Sequence, residues 1–177
     1  MKVQAKIATA LSLMLLLAAV SFAQQVKTDY DHNANFAQYK TYSWEKVQTS
    51  DPLVVDRIKS AVNGALAANG WTLVSSGGDV EVFAVETTKD QQTLDTFYNG
   101  FGGGRRWGWG GFGDATTTTE TYKVGTLVID LFDGKTEKLI WRGSSSDTLS
   151  DKAAKNTQNL DKGVKKMFAH FPPSASK

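Results

Sequence analysis

The sequence predicts an α+β fold: an antiparallel sheet with two amphipathic helices packed on one face, in a single domain. Three stretches carry that expectation. Tyr122 to Leu149 reads as two long strands joined at Asp133-Gly134, because branched and aromatic residues crowd both arms around a short Gly-containing turn. Val55, Ile58, Val62, Ala65 and Leu66 recur at helical spacing. Leu160, Val164, Met167, Phe168 and Phe171 repeat that spacing near the end of the chain. Two helices can cover only one face of a sheet whose neighbours are joined by short turns, so both belong on the same side.

Taken in order, the alternation of Val26 to Asp31 makes a first strand, broken at Asn33-Ala34-Asn35. Phe36 to Trp44 makes a short second one. Asp51-Pro52 is an N-cap with proline at the first helical position, and Asn69-Gly70 is the matching stop. Trp71 to Val74 and Asp79 to Thr87 are strands, the latter with Val80, Val82 and Ala84 on one face and Phe83 and Val85 on the other. In the central hairpin Leu127, Ile129 and Leu131 form a core face that Leu139 and Trp141 continue, while Val128, Asp130 and Phe132 point the other way. The last helix starts near Asp151 and ends at Pro172-Pro173.

Residues 1–23 have the three parts of a secretory signal peptide: Lys2 and Lys6, an apolar run from Ile7 to Val20, and Ser21-Phe22-Ala23 with small residues where a peptidase reads. Cleavage after Ala23 is expected, since the run is shorter than the roughly 20 apolar residues a membrane span needs. Of 177 residues, 154 then remain as one domain, residues 24–177, large enough for a core without staples. The leader takes two of the 20 Lys and Arg and none of the 18 Asp and Glu, leaving 18 against 18. A neutral mature chain gives no reason to expect nucleic acid as a partner. The chain contains no Cys, so it has no disulfide and no thiol for lipid attachment.

More than 30 residues without clear periodicity, about 89–120, read as a Gly/aromatic-rich loop, and such a length inside a compact domain marks function or disorder. Its centre, Tyr98 to Asp114, holds Phe101, Arg105, Arg106, Trp107, Trp109 and Phe112 among glycines. Glycine frees the backbone, and aromatic and Arg side chains stack on sugar rings, partner side chains or lipid headgroups. These six residues are the candidate binding residues. The competing reading is a low-complexity segment, or one that folds over the outer sheet face to cover Val128 and Phe132.

Other motifs carry less. Gly108-Trp109-Gly110-Gly111-Phe112-Gly113 matches G-x-G-x-x-G, but no strand precedes it and no helix follows, so no dinucleotide is expected. His32 and His170 stand apart and predict no metal site. Gly143-Ser144-Ser145-Ser146 lacks a G-x-S-x-G elbow. Asp130 interrupts the central strand; an acid or base in a cleft, tuned by a neighbouring Arg142, is one reading, and a solvated face or a cross-strand ion pair the more economical. No catalytic residue and no cofactor are assigned.

Tyr39-Lys40-Thr41-Tyr42-Ser43-Trp44, Gly70-Trp71, Asp79-Val80-Glu81-Val82, Gly125-Thr126-Leu127-Val128-Ile129-Asp130-Leu131, Leu139-Ile140-Trp141-Arg142-Gly143 and Phe171-Pro172-Pro173, in this order, resemble the bacterial envelope family known as domain of unknown function 4136. The resemblance implies an envelope location and brings no established activity. Many members look like lipoproteins with Cys at the cleavage site, where this chain has Gln24. The expectation is therefore a periplasmic or secreted protein without a lipid anchor or transmembrane span after cleavage. Its function is that of a non-enzymatic binding or structural module, working through the Gly/aromatic loop or a sheet edge, with an envelope protein, glycan or lipid surface as partner. The alternative is a hydrolase acting on envelope material, which needs converging polar groups in a pocket.

Overall fold

The computed structural model describes residues 24–98 and 115–173, with side chains for these except 93–98 and 115–120. Six strands and two helices follow in the order β1 (Gln25–Tyr30), β2 (Thr41–Gln48), α1 (Pro52–Ala68), β3 (Thr72–Leu73), β4 (Val80–Tyr98), β5 (Ala115–Asp133), β6 (Leu139–Thr148) and α2 (Ala153–Met167). The strands form one sheet in the order β1-β6-β5-β4-β2-β3. Most neighbours are antiparallel, but β2 runs parallel to both β3 and β4. The expected α+β sheet is present and mostly antiparallel; its parallel pairs arise because α1 carries the chain back across the sheet after β2, and a crossover of that kind delivers a parallel strand.

The core forms where helical and strand periodicities meet. Register puts Val82 opposite Leu131 and Leu131 opposite Trp141, with Ala84 opposite Ile129. These residues and Val80 and Leu127 are buried on one face, against Ile58, Val62 and Leu66 of α1 and Val164 and Met167 of α2. Both helices therefore cover the same face, as the sequence predicts. Asp51 caps α1 by accepting from the Leu53 N–H at 2.9 Å. Gly70, at φ +80°, takes the left-handed conformation in which a side chain would be strained.

Three local expectations are corrected. Phe36–Gln38 is a 3-10 turn rather than the start of β2, because the Asn35 side chain accepts from the Ala37 N–H and caps it. Leu139 is 37% exposed, whereas Ile140 and Trp141 are both buried. A register shift between Leu131 and Phe132 pairs Phe132 with Leu139 and leaves Ile140 as the extra residue, so the alternation switches face there. The segment read as a loop at 89–120 is largely ladder: β4 and β5 pair without a shift from Val80↔Asp133 to Tyr98↔Ala115. The sequence of these strands is Thr-rich and has no regular apolar alternation, so the two-residue period that betrays a strand is missing there.

Aromatic side chains close the end of the core beside the β5–β6 turn. Phe36, Tyr39, Trp71, Trp141, Phe168 and Phe171 form a chain of edge-on and tilted contacts, with centroids 4.7–6.1 Å apart. Such pairs add to the area they bury. Trp141 also lies over Gly143, where a Cβ would collide with its ring.

Candidate functional site

The first turns of α1 and α2 stand over one end of the sheet, and a cleft of about 220 Å³ lies between them. Val54, Leu127, Leu149 and Leu160 give it apolar walls, and Asp51, Glu86 and Asp147 with Arg57 give it charge. Each carboxylate already has structural work. Asp51 caps α1. Glu86 accepts from the Thr49 hydroxyl at 2.7 Å and the Thr88 hydroxyl at 3.1 Å. Asp147 accepts from the Thr148 N–H at 2.8 Å. Gln24 enters from the side, its Nε2 donating to the Asn159 carbonyl at 2.8 Å, and Asn156 is held at both ends of its amide by Ser150. The cleft is smaller than the roughly 300–1,000 Å³ of usual ligand pockets. Its polar groups brace the helix starts rather than converge on a point.

Asp130 is not in that cleft. It lies on the opposite face of the sheet, directly across from Arg142, and the guanidinium donates to both carboxylate oxygens at 2.6 and 2.7 Å. The neighbouring carboxylate raises the Arg142 pKa by hydrogen bonding and charge. The arrangement is the cross-strand ion pair, and the acid-base reading of Asp130 loses its pocket. Phe83 and Phe132 meet edge-on beside it, centroids 5.1 Å apart. His32 packs at a tilt against the Tyr30 ring, and no group of three or more metal-ligating side chains occurs among the described residues.

The third feature is an arm. β2 stops pairing with β4 at Gln48↔Val85, and β6 stops pairing with β5 at Val124↔Thr148. From Asp90↔Lys123 outward β4 and β5 continue as a two-stranded ribbon for nine pairs, roughly 30 Å at about 3.4 Å per residue. The Tyr122 hydroxyl donates across it to the Gln91 Oε1 at 3.1 Å. The candidate residues Phe101, Arg105, Arg106, Trp107, Trp109 and Phe112 lie outside the described residues, in the segment that joins the ends of this ribbon. The arm escaped sequence reading for lack of apolar alternation; the unbroken Thr116 to Thr119 run was its one available sign.

The described residues thus form a helix-covered α+β sheet carrying a ribbon arm, with the cleft carboxylates and Asp130 engaged in local contacts. The chain belongs to the family described as Domain of unknown function (DUF4136), whose model matches residues 26–173. No curated protein matches the sequence. The fold is similar to that of a PDZ domain protein from Parabacteroides distasonis, with a TM-score of 0.57 at 13% identity over 85% of this chain; the chain spans only 36% of that protein. It is also similar to PelC from Paraburkholderia phytofirmans, solved as a dodecamer, with a TM-score of 0.50 at 12% identity over 83% of this chain and 95% of that one. Among the described residues no helix is long and apolar enough to cross a membrane.

Proposed function

We propose that this protein is an exported, non-enzymatic module of the bacterial envelope that binds or assembles through the β4–β5 arm and the Gly/aromatic segment at its tip. Family membership and the leader-like residues 1–23 support the location. After cleavage at Ala23 the mature chain begins at Gln24 and is periplasmic or secreted, without a lipid anchor. The observation that carries the binding role is the ribbon, which holds Tyr98 and Ala115 well beyond the helix-covered body. Residues 99–114 join those two ends in the sequence, and among them Phe101, Arg105, Arg106, Trp107, Trp109 and Phe112 are the side chains proposed to meet an envelope protein, glycan or lipid surface.

Two variants test this: replacement of residues 100–113 by a short Gly-Ser linker, and Trp107→Ala with Trp109→Ala. Each should melt within a few degrees of the parent, because loop length costs only about 0.6 kcal/mol per doubling. Retention on isolated cell envelope should drop in both. Unchanged retention with intact folding would end the reading.

A further inference from the structure

We infer that the open edge of β5 on the arm is a self-association surface, which pairs antiparallel with the same edge of a second copy of this chain to join two ribbons into a four-stranded sheet. The inference specifies the partner for assembly through the arm in the function proposed above and rests on that reading.

The first observation is how differently the sheet's edges are treated. Natural sheets blunt their edges with very short strands or charged residues, because an exposed edge is a template for another chain. The body of this protein follows that rule. On one side the sheet ends in β3, which is two residues long. On the other it ends in β1, six residues that include Lys27 and Asp29. The arm does not follow it. Among the described residues β4 has no second neighbour after Val85, and β5 has none before Lys123, whose carbonyl accepts from the Leu149 N–H at 2.8 Å. The register between them never shifts, so no bulge twists the edge away, and neither stretch contains Pro.

The second observation is energetic. A two-stranded ribbon is at best marginal in water, and three or more strands are needed for independent stability. Nine ribbon pairs extend beyond the last support from β2 and β6, and among the described residues no third strand flanks them, so an added strand would stabilise them.

The sequences of the two edges then choose between them and name the occupant. Under a two-fold axis an edge must tolerate itself. The β4 edge carries Lys89, Asp90 and Asp95, which face their own copies at several registers. The β5 edge from Ala115 to Tyr122 has a run of four threonines and one charge, Glu120. Thr favours strands and Thr–Thr cross-strand pairs stabilise them, so this edge meets its own copy almost without repulsion. The symmetric partner is the one for which this composition is self-complementary.

The test is the oligomeric state of the exported chain by sedimentation velocity over a range of protein concentrations. The parent should be a dimer. Thr117→Lys with Thr119→Lys should weaken association at least about tenfold, and so should the matching pair of Glu substitutions, because like charges then gather on one face of the shared sheet. Mixing the Lys and Glu variants should restore a dimer. If either variant fails to fold, a second chain decides: Asn-Gly in place of residues 89–124 closes the β4–β5 hairpin at Thr88 and Gly125, and should give a folded monomer. A monomeric parent, or a dimer indifferent to these changes, overturns the inference while leaving the envelope-binding reading standing. A dimer whose envelope retention survives loss of residues 100–113 does the reverse.

Discussion

The Tyr39 hydroxyl donates to the Asp133 carboxylate at 2.7 Å, tying the entry to β2 to the turn that follows β5. The same carboxylate accepts from the N–H groups of Lys135 and Thr136 at 2.9 and 2.8 Å. Asp79 plays a matching part nearby, accepting from Lys40 and Thr41 N–H groups and from the Thr41 hydroxyl. Two acids thus hold the end of the sheet at which the aromatic cluster closes.

The hydrogen bond from Tyr39, followed by those from the turn, lowers the Asp133 pKa to about 2. A carboxylate depressed in the fold stabilises it above its ordinary pKa of about 3.9 and loses that contribution as pH falls through the folded value. Asp79 is lowered in the same direction, chiefly by the Lys40 and Thr41 backbone. Urea midpoints at pH 7, 4, 3 and 2 should therefore fall most steeply between about pH 4 and 2. Asp133→Asn should be less stable than the parent at pH 7 and should show a shallower acid slope. An unchanged slope would remove Asp133 as a cause.

Trp141 is only 3% exposed and touches both Phe168 and Phe171. Trp141→Ala should cost about 3–5 kcal/mol by chemical denaturation, as other core aromatics do. A loss below about 1 kcal/mol would contradict its burial.

Gly163 is where α2 comes down on β6. A Cβ there would lie 2.5 Å from the Ser145 Oγ and 2.8 Å from the Gln24 Nε2. On an open helix Gly→Ala gains about 1 kcal/mol; here overpacking should reverse the sign and destabilise by about 1–3 kcal/mol. Ser145→Ala in the same chain should recover part of the loss. A stabilised Gly163→Ala would show that the helix can lift freely.

The Asp130–Arg142 pair has good geometry, yet the Arg142 side chain is 53% exposed. A double-mutant cycle with Asp130→Ala and Arg142→Ala should give a coupling of about 0.2–1 kcal/mol, reduced by added salt. A coupling of several kcal/mol would mean that the outer sheet face is covered where these two residues lie.

Helix α1, its Asp51 cap and Gly70 stop, the buried faces of β4 and β5, and the stripe of α2 were all legible in the sequence, because each is a local period bounded by a residue with one conformational use. That Asp130 meets solvent or a cross-strand charge rather than a catalytic cleft was legible too, and the structure names Arg142 as the partner. Tertiary structure alone decided that β2 runs parallel to β4, that the β6 irregularity buries Ile140 and exposes Leu139, and that Asp133 and Asp79 brace the sheet end. These depend on partners far away along the chain, and no local pattern encodes which distant backbone a strand or carboxylate will meet. The arm belongs to the same class. Its strands carry no regular apolar alternation, so their pairing is written in main-chain hydrogen bonds, which every residue but proline can make and which therefore leave little trace in the sequence.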